Sequence, residues 1–285
     1  MRYDEIVVRA RDVFAQYEMA LTLRQLFYRL VAKHVFANTI NNYKALSRIM
    51  VEAREKGDIP DEFIEDRTRD IYGGDHGWED PEDFLEKIKE GFRDSWQSFT
   101  RPIWNDQPRM VMVGVEKDAL RRLVSDVADE YRVATCPTKG YGSYTYVKRL
   151  LGQFAETKTT VLLYFGDYDP SGLDIVRDLE ERLEKYGAED FQVKRIALTR
   201  DQIQRYGLPP MPTKKGDPRA TKFVATHGNE CVELDALEPP VLQRLISQAI
   251  EAEIDAEAWD ATVQRVNREK ESLKGKLKGL FLKWE

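Results

Sequence analysis

Apolar positions recur at helical spacing through the first sixty residues. Leu23, Leu26, Phe27 and Leu30 fall at i, i+3, i+4 and i+7, the stripe of one helix face. Thr22 precedes the stripe and Gln25 stands three residues later, a capping-box pattern. Leu46, Ile49, Met50 and Ala53 repeat the stripe, and Gly57 stops it. Asp58-Ile59-Pro60 reads as a turn, with Phe63 and Ile64 on a short strand. Residues 1–72 are thus expected to form three helices and a small hairpin. Residues 73–107 read as a connector, loosened by Gly73, Gly74 and Gly77. A helix follows, with Asp80 as cap and Pro81 in its first turn. Phe84, Leu85, Ile88, Phe92, Trp96 and Phe99 line one side of it, expected as packing between domains.

From Pro108 the pattern changes to short apolar runs alternating with amphipathic stretches. The runs are Val111–Val115, Val133–Cys136, Val161–Phe165 and Phe191–Leu198. This order predicts an α/β domain over residues 108–285, with a mostly parallel sheet flanked by helices and a C-terminal helical extension. The α-rich segment ahead of it has the outline of a winged-helix module, whose second helix can enter a DNA groove.

At 285 residues the chain has room for about two domains. Its 42% hydrophobic and 33% charged residues exclude a disordered protein. The longest apolar runs fall far short of the roughly 18 residues that cross a bilayer, so no membrane partner is expected. The first residues lack a signal-peptide pattern. Two cysteines, Cys136 and Cys231, are read as reduced thiols in a cytoplasmic protein. A net charge of −6 does not advertise a nucleic-acid binder, yet phosphate is met by local patches. Thr213–Lys222 and the tail from Arg265 onward are locally basic.

In a parallel sheet, sites form beyond the carboxyl ends of strands. Glu116 follows the run Val111–Val115. Asp167 and Asp169 follow Val161–Phe165, on a turn set by Gly166, Pro170 and Gly172. Three carboxylates and no histidine suit Mg²⁺ or Mn²⁺ rather than zinc. The same acids also suit the N-termini of the helices that follow.

Val115-Glu116-Lys117 with Asp167-x-Asp169-Pro170-x-Gly172 resembles the Toprim metal-binding domain of topoisomerases, primases and some nucleases. Pro137-Thr138-Lys139-Gly140-Tyr141 is similar to the Gly-Lys-Gly segment of the topoisomerase VI A subunit. Thr22-Leu23-Arg24-Gln25-Leu26-Phe27-Tyr28 is similar to the box that ends in that subunit's DNA-cleaving tyrosine. Position 25 departs from the family's acid, and Phe27 stands where a second tyrosine is common. The resemblance covers residues 20 to about 200 in the family's order, winged helix first and Toprim second. It extends to the meiotic double-strand-break transesterases, and among these the chain is closest in outline to the compact mini-A proteins.

The resemblance implies a Mg²⁺-dependent transesterase, a type IIB topoisomerase A-like enzyme acting on duplex DNA. Tyr28 would attack phosphorus, Arg24 would steady the phosphate or the tyrosyl oxygen, and Glu116 would move a proton. Glu116, Asp167 and Asp169 would hold Mg²⁺ or Mn²⁺. Lys117, Lys139, Lys44 and Arg48 would touch DNA phosphate. At about 100° per residue, Tyr28 falls near 140° from Leu23 and Arg24 near 100°, so both are expected off the core stripe and facing DNA. Two such sites open a duplex, which favours a C2 homodimer, with each tyrosine meeting the partner's metal site. No P-loop motif is present, so a separate ATPase subunit is an expected partner. Two alternatives stand beside this reading. One is a hydrolytic Toprim nuclease in which Tyr28 is a bystander. The other is a DNA-binding dimer that is inert without its partner.

Overall fold

A computed structural model describes residues 3–65, 77–138, 140, 142–213 and 217–281. In chain order, helices α1 (Tyr3–Phe14), α2 (Leu23–Ala32) and α3 (Ile40–Glu55) come first, and α4 (Pro81–Asp94) follows. Strand β1 (Met110–Val115), α5 (Arg121–Glu130), β2 (Ala134–Pro137), α6 (Tyr144–Leu151), β3 (Thr160–Phe165), α7 (Pro170–Lys185) and β4 (Phe191–Ala197) then alternate. The remainder comprises α8 (Arg200–Arg205), β5 (Met211–Pro212), α9 (Ala220–His227), β6 (Glu230–Cys231), α10 (Pro239–Glu251) and α11 (Ala256–Phe281). Among the described residues, no helix is long and apolar enough to cross a membrane.

The chain forms two compact units. The first holds residues 3–65 and 111–252, the second residues 77–110 and 253–281. In the first, the strands are ordered β2-β1-β3-β4, with β1/β2 and β3/β4 in parallel register. The sheet is flanked by helices, as the alternating pattern predicts. All six residues of β3 are buried, as expected of a strand covered on both faces. On one face Met112 and Leu162 pack with Val147 and Leu150 of α6 and Leu179 and Leu183 of α7. Elsewhere α5 packs on α10, burying Leu123, Val124 and Val127 in the one and Leu242, Ile246 and Ile250 in the other.

The first three helices pack on one another as the stripes predict. The Thr22–Gln25 capping box is formed in both directions. The expected strand at Phe63 and Ile64 is only partly present. Asp61–Phe63 is a 3₁₀ turn, and Ile64 makes a single parallel bridge to Leu21. The Leu21 N–H donates to Phe63 O at 3.1 Å, and the Glu65 N–H to Leu21 O at 3.0 Å. The rest of the predicted hairpin, residues 66–72, lies outside the described residues, as do Gly73 and Gly74 of the connector.

In the second unit α4 begins as expected, with Asp80 Oδ1 accepting the Asp83 N–H at 2.8 Å. Its apolar side does not behave as predicted: Phe84, Leu85 and Ile88 are exposed. Within this unit α4 packs on the turn that follows it and on α11, and Phe84 meets Trp78 edge-on, which leaves part of the stripe uncovered. Arg101 grips Glu269 through two hydrogen bonds of 2.6 and 2.7 Å, and Trp104 meets Trp259 edge-on.

Candidate functional site

β1 and β3 are neighbours, so the residues that leave their carboxyl ends emerge side by side. The Glu116 N–H donates to Phe165 O at 2.9 Å. The Glu116 carboxylate then reaches over the turn that begins at Gly166. Its Oε2 accepts the Asp167 N–H at 2.9 Å and the Tyr164 hydroxyl at 3.1 Å. This contact explains the two glycines of the turn. A Cβ at Gly166 would stand 2.6 Å from Glu116 Oε2, and one at Gly172 would stand 2.3 Å from Asp167 O. Arg195 fastens the turn from below. It donates to Gly172 O at 2.8 Å and Leu198 O at 3.0 Å, and also to Gly166 O and Asp167 O.

The structure therefore brings Glu116 to the Asp167–Asp169 turn, but the three carboxylates are each engaged elsewhere. Asp169 caps α7, its Oδ1 accepting the Gly172 N–H at 2.6 Å. Asp167 Oδ1 accepts the Leu234 N–H at 2.8 Å, and its Oδ2 lies 3.4 Å from Lys117 Nζ. Burial, and then the neighbouring acid charge, hold the carboxyls of Glu116 and Asp167 above the usual carboxylate range. Among the described residues, no three acids are placed to hold one metal ion. The expected cage of Glu116, Asp167 and Asp169 is not closed, because the cap and the Lys117 ammonium divert two of its members.

Carboxylates converge instead on Lys117. Its Nζ lies 2.8 Å from Glu233 Oε2 and 2.8 Å from Asp235 Oδ2, with Asp167 as the third neighbour. Burial disfavours the ammonium, yet the charges of Asp235, Asp167 and Glu233 outweigh it and raise its pKa. Burial likewise works against the Glu233 carboxylate, while Lys117 and Arg24 bring its pKa below the ordinary value. Lys117 is thus a counter-ion within the site, whereas the sequence suggests a phosphate contact.

α2 supplies the opposite wall. Arg24 Nη1 is 3.3 Å from Glu233 Oε2, and its guanidinium lies 4.5 Å from the centre of the Tyr43 ring. Tyr28 departs from the expected exposure: it is 1% exposed. The wheel angle places it off the Leu23 stripe, but a second surface covers that side. The turn Leu234–Ala236 packs on α2, held by Arg29, which donates to Ala236 O and pairs with Glu238 at 2.8 Å. The Tyr28 hydroxyl is buried and makes no well-directed hydrogen bond among the described residues. Burial, then the adjacent Glu233 charge, raise its pKa.

Between these walls lies a cleft of about 640 Å³, lined by Arg24, Tyr43, Ser47, Arg54, Glu116 and Lys117 among others. Lys44 and Arg48 of α3 are exposed and are not among the residues that line the cleft. Lys139 lies outside the described residues.

Glu233, Asp235 and Arg195 are site residues that the sequence reading passes over. Glu233-x-Asp235, separated from the end of β6 by one residue, repeats the acid-x-acid spacing of Asp167 and Asp169, and that repetition is the available signal. A lone arginine in β4 carries no comparable mark. No family model, curated protein or solved structure matches the chain.

Proposed function

We propose that this chain is a DNA-cleaving protein of the topoisomerase VI A type, with a Toprim-like domain and a winged-helix-like N-terminal segment. The supporting observation is the meeting of two distant pieces of sequence in one cleft. Glu116 and the Asp167–Gly172 turn lie at adjacent strand ends, and Arg24 of α2 lines the same cleft as Glu116, with Tyr28 of that helix buried beside Glu233. Duplex DNA is the proposed substrate, a homodimer the proposed assembly, and a separate ATPase subunit a proposed partner. Mg²⁺ or Mn²⁺ is the proposed cofactor. The residues as placed do not enclose such an ion, and the work of cleavage falls to the chain's own groups.

Arg24 and Arg54 present guanidinium groups to a phosphodiester in the cleft, which suits the planar recognition of phosphate oxygens. Tyr28 is the nucleophile: its oxygen forms a bond to phosphorus as the bond from phosphorus to the 3′-oxygen breaks, leaving a 5′-phosphotyrosyl end and a 3′-hydroxyl. The Tyr28 proton goes to the neighbouring Glu233 carboxylate, and the departing 3′-oxygen takes its proton from the Glu116 carboxyl, which burial favours in the protonated form. Attack requires that the turn Leu234–Ala236 uncover Tyr28, which it covers here.

That burial also favours a second reading, hydrolytic cleavage by water with Tyr28 as a packing residue. Supercoiled plasmid incubated with Mg²⁺ or Mn²⁺ separates the two. A transesterase loses cutting in Tyr28→Phe, whereas a hydrolase keeps it. Glu116→Gln should abolish cutting under either reading, and an EDTA arm tests the proposed metal separately: loss of cutting in EDTA supports it, and cutting kept in EDTA removes it. If neither metal supports cutting by the wild-type chain, the test is repeated with a candidate ATPase subunit. Binding should weaken steeply as salt rises, because phosphate contacts release counterions.

A further inference from the structure

Helix α4 carries an apolar face that its own unit leaves open. Phe84, Leu85 and Ile88 are 41%, 54% and 51% exposed, and Trp78, edge-on to Phe84, is 52% exposed. Single exposed apolar residues are ordinary, but four large ones between positions 78 and 88 form a patch, and such patches mark interaction surfaces. The charges beside the patch are ordered. At about 100° per residue from Leu85, Ile88 and Phe84 lie near 300° and 260°, while Lys89, Glu82, Arg93 and Glu86 lie at about 40°, 60°, 80° and 100° on one flank. Along that flank the two acids come first and the two bases last. Glu82 with Glu86, and Lys89 with Arg93, are like charges one turn apart, an unfavourable spacing within a single helix. On the far side, by contrast, Asp83 and Lys87 pair within the helix at 3.0 Å. Glu82, Glu86 and Lys89 are exposed and form no ion pair among the described residues.

We propose that the open face of α4 packs antiparallel on α4 of a second copy of this chain, about a two-fold axis near the middle of the helix. The charge order selects this occupant, because the flank is complementary to itself only when reversed. Glu82 then faces the partner's Arg93 and Glu86 the partner's Lys89, and symmetry makes each pair twice. Phe84, Leu85 and Ile88 cover the same three residues of the partner. A parallel copy would set acid on acid and base on base, which opposes association. The helix has 14 residues and is about 21 Å long, so two such faces bury less than the ~800 Å² per partner of a standard interface. The dimer is therefore concentration-dependent. This assigns a face to the homodimer proposed above and does not depend on DNA cleavage.

Sedimentation of the full chain over a range of concentrations reads the assembly without DNA. The wild type should pass from monomer to dimer in the micromolar range, and Leu85→Glu/Ile88→Glu should stay monomeric throughout. Charge variants then test the orientation. Glu82→Lys/Glu86→Lys should weaken the dimer by more than about tenfold, since like charges then meet. Adding Lys89→Glu/Arg93→Glu to the same chain reverses the order of the flank and should restore the dimer. That restoration also separates a lost interface from a lost fold, because an unfolded variant would not regain it. A wild type that stays monomeric would overturn the proposal and leave the face to another partner. A dimer that the apolar and charge variants leave unchanged would overturn it too, placing the homodimer on another face with the cleavage reading untouched. Loss of the dimer in the apolar variant, with no effect of the charge variants, would overturn the antiparallel pairing.

Discussion

Arg24 Nη1 lies 3.3 Å from Glu233 Oε2, although the two residues are 209 positions apart in the chain. The contact ties the tyrosine-bearing helix to the carboxylate cluster of the same protomer. The family resemblance implies a tyrosine that serves the partner's acids, and this pairing argues for service within one chain. Mixing Tyr28→Phe with Glu116→Gln checks the point. Service within a chain predicts that mixed dimers stay inactive, since each site lacks one group. Recovery of single-strand nicking, to about a quarter of the wild-type sites in a random mixture, would mean service across the dimer.

The turn between Gly166 and Gly172 should tolerate no side chain at either end. Gly172→Ala drives a Cβ to 2.3 Å from a backbone oxygen, which cannot swing aside. Overpacking of this kind costs about 1–3 kcal/mol or more. A Cβ added at Gly91, in the last turn of α4, would meet nothing within 4 Å, so Gly91→Ala should be neutral or stabilise by up to about 1 kcal/mol. Denaturant unfolding of the two variants should move in opposite directions.

Arg195 is a partly buried cation that donates to the carbonyls of Gly166, Asp167 and Gly172 in the acidic turn and to Leu198 O, and burial lowers its pKa. Arg195→Met should leave those carbonyls without donors and cost about 2–4 kcal/mol, within the range for truncating a charged hydrogen-bond donor. Arg195→Lys, with a compact ammonium in place of the fork, should recover only part of this. Thermal melting of the two variants against the wild type measures both effects.

The two thiols should differ in reactivity. Cys136 is 7% exposed, and burial raises its thiol to about 11. At pH 8 almost none of it is thiolate, so a disulfide reagent should modify it slowly, with the rate climbing as pH rises toward 11. The sign for stability follows. An unfolded thiol ionises near 8.5, so this group's contribution is intact below that pH and is lost as pH rises toward 11. Cys231 is less buried and should react first under native conditions.

The sheet is legible in the sequence because strands buried on both faces are nearly continuous apolar runs, and Val161–Phe165 and Val111–Val115 are such runs. The capping box at Thr22 is legible for a similar reason, being local chemistry. The burial of Tyr28 is not. A helical wheel assigns one face to the core, and it carries no information about a segment far along the chain that covers the other side. The exposure of Phe84, Leu85 and Ile88 fails in the opposite sense, since a stripe states that a helix can be covered and not that a partner within its unit is large enough. Lys117 illustrates the same limit for charge. Beside Glu116 it reads as a phosphate contact, and only the return of Glu233 and Asp235 from distant sequence turns it inward.

The most direct measurement is to trap the reaction on end-labelled duplex DNA with Mg²⁺ or Mn²⁺, denature, digest the protein and sequence any DNA-linked peptide. A phosphotyrosyl bond to the 5′ end is expected, carried by Tyr28 and missing from Tyr28→Phe. Cut ends that carry a free 5′-phosphate, from a Tyr28→Phe variant as active as the wild type, would remove Tyr28 from the chemistry and with it the proposed transesterase.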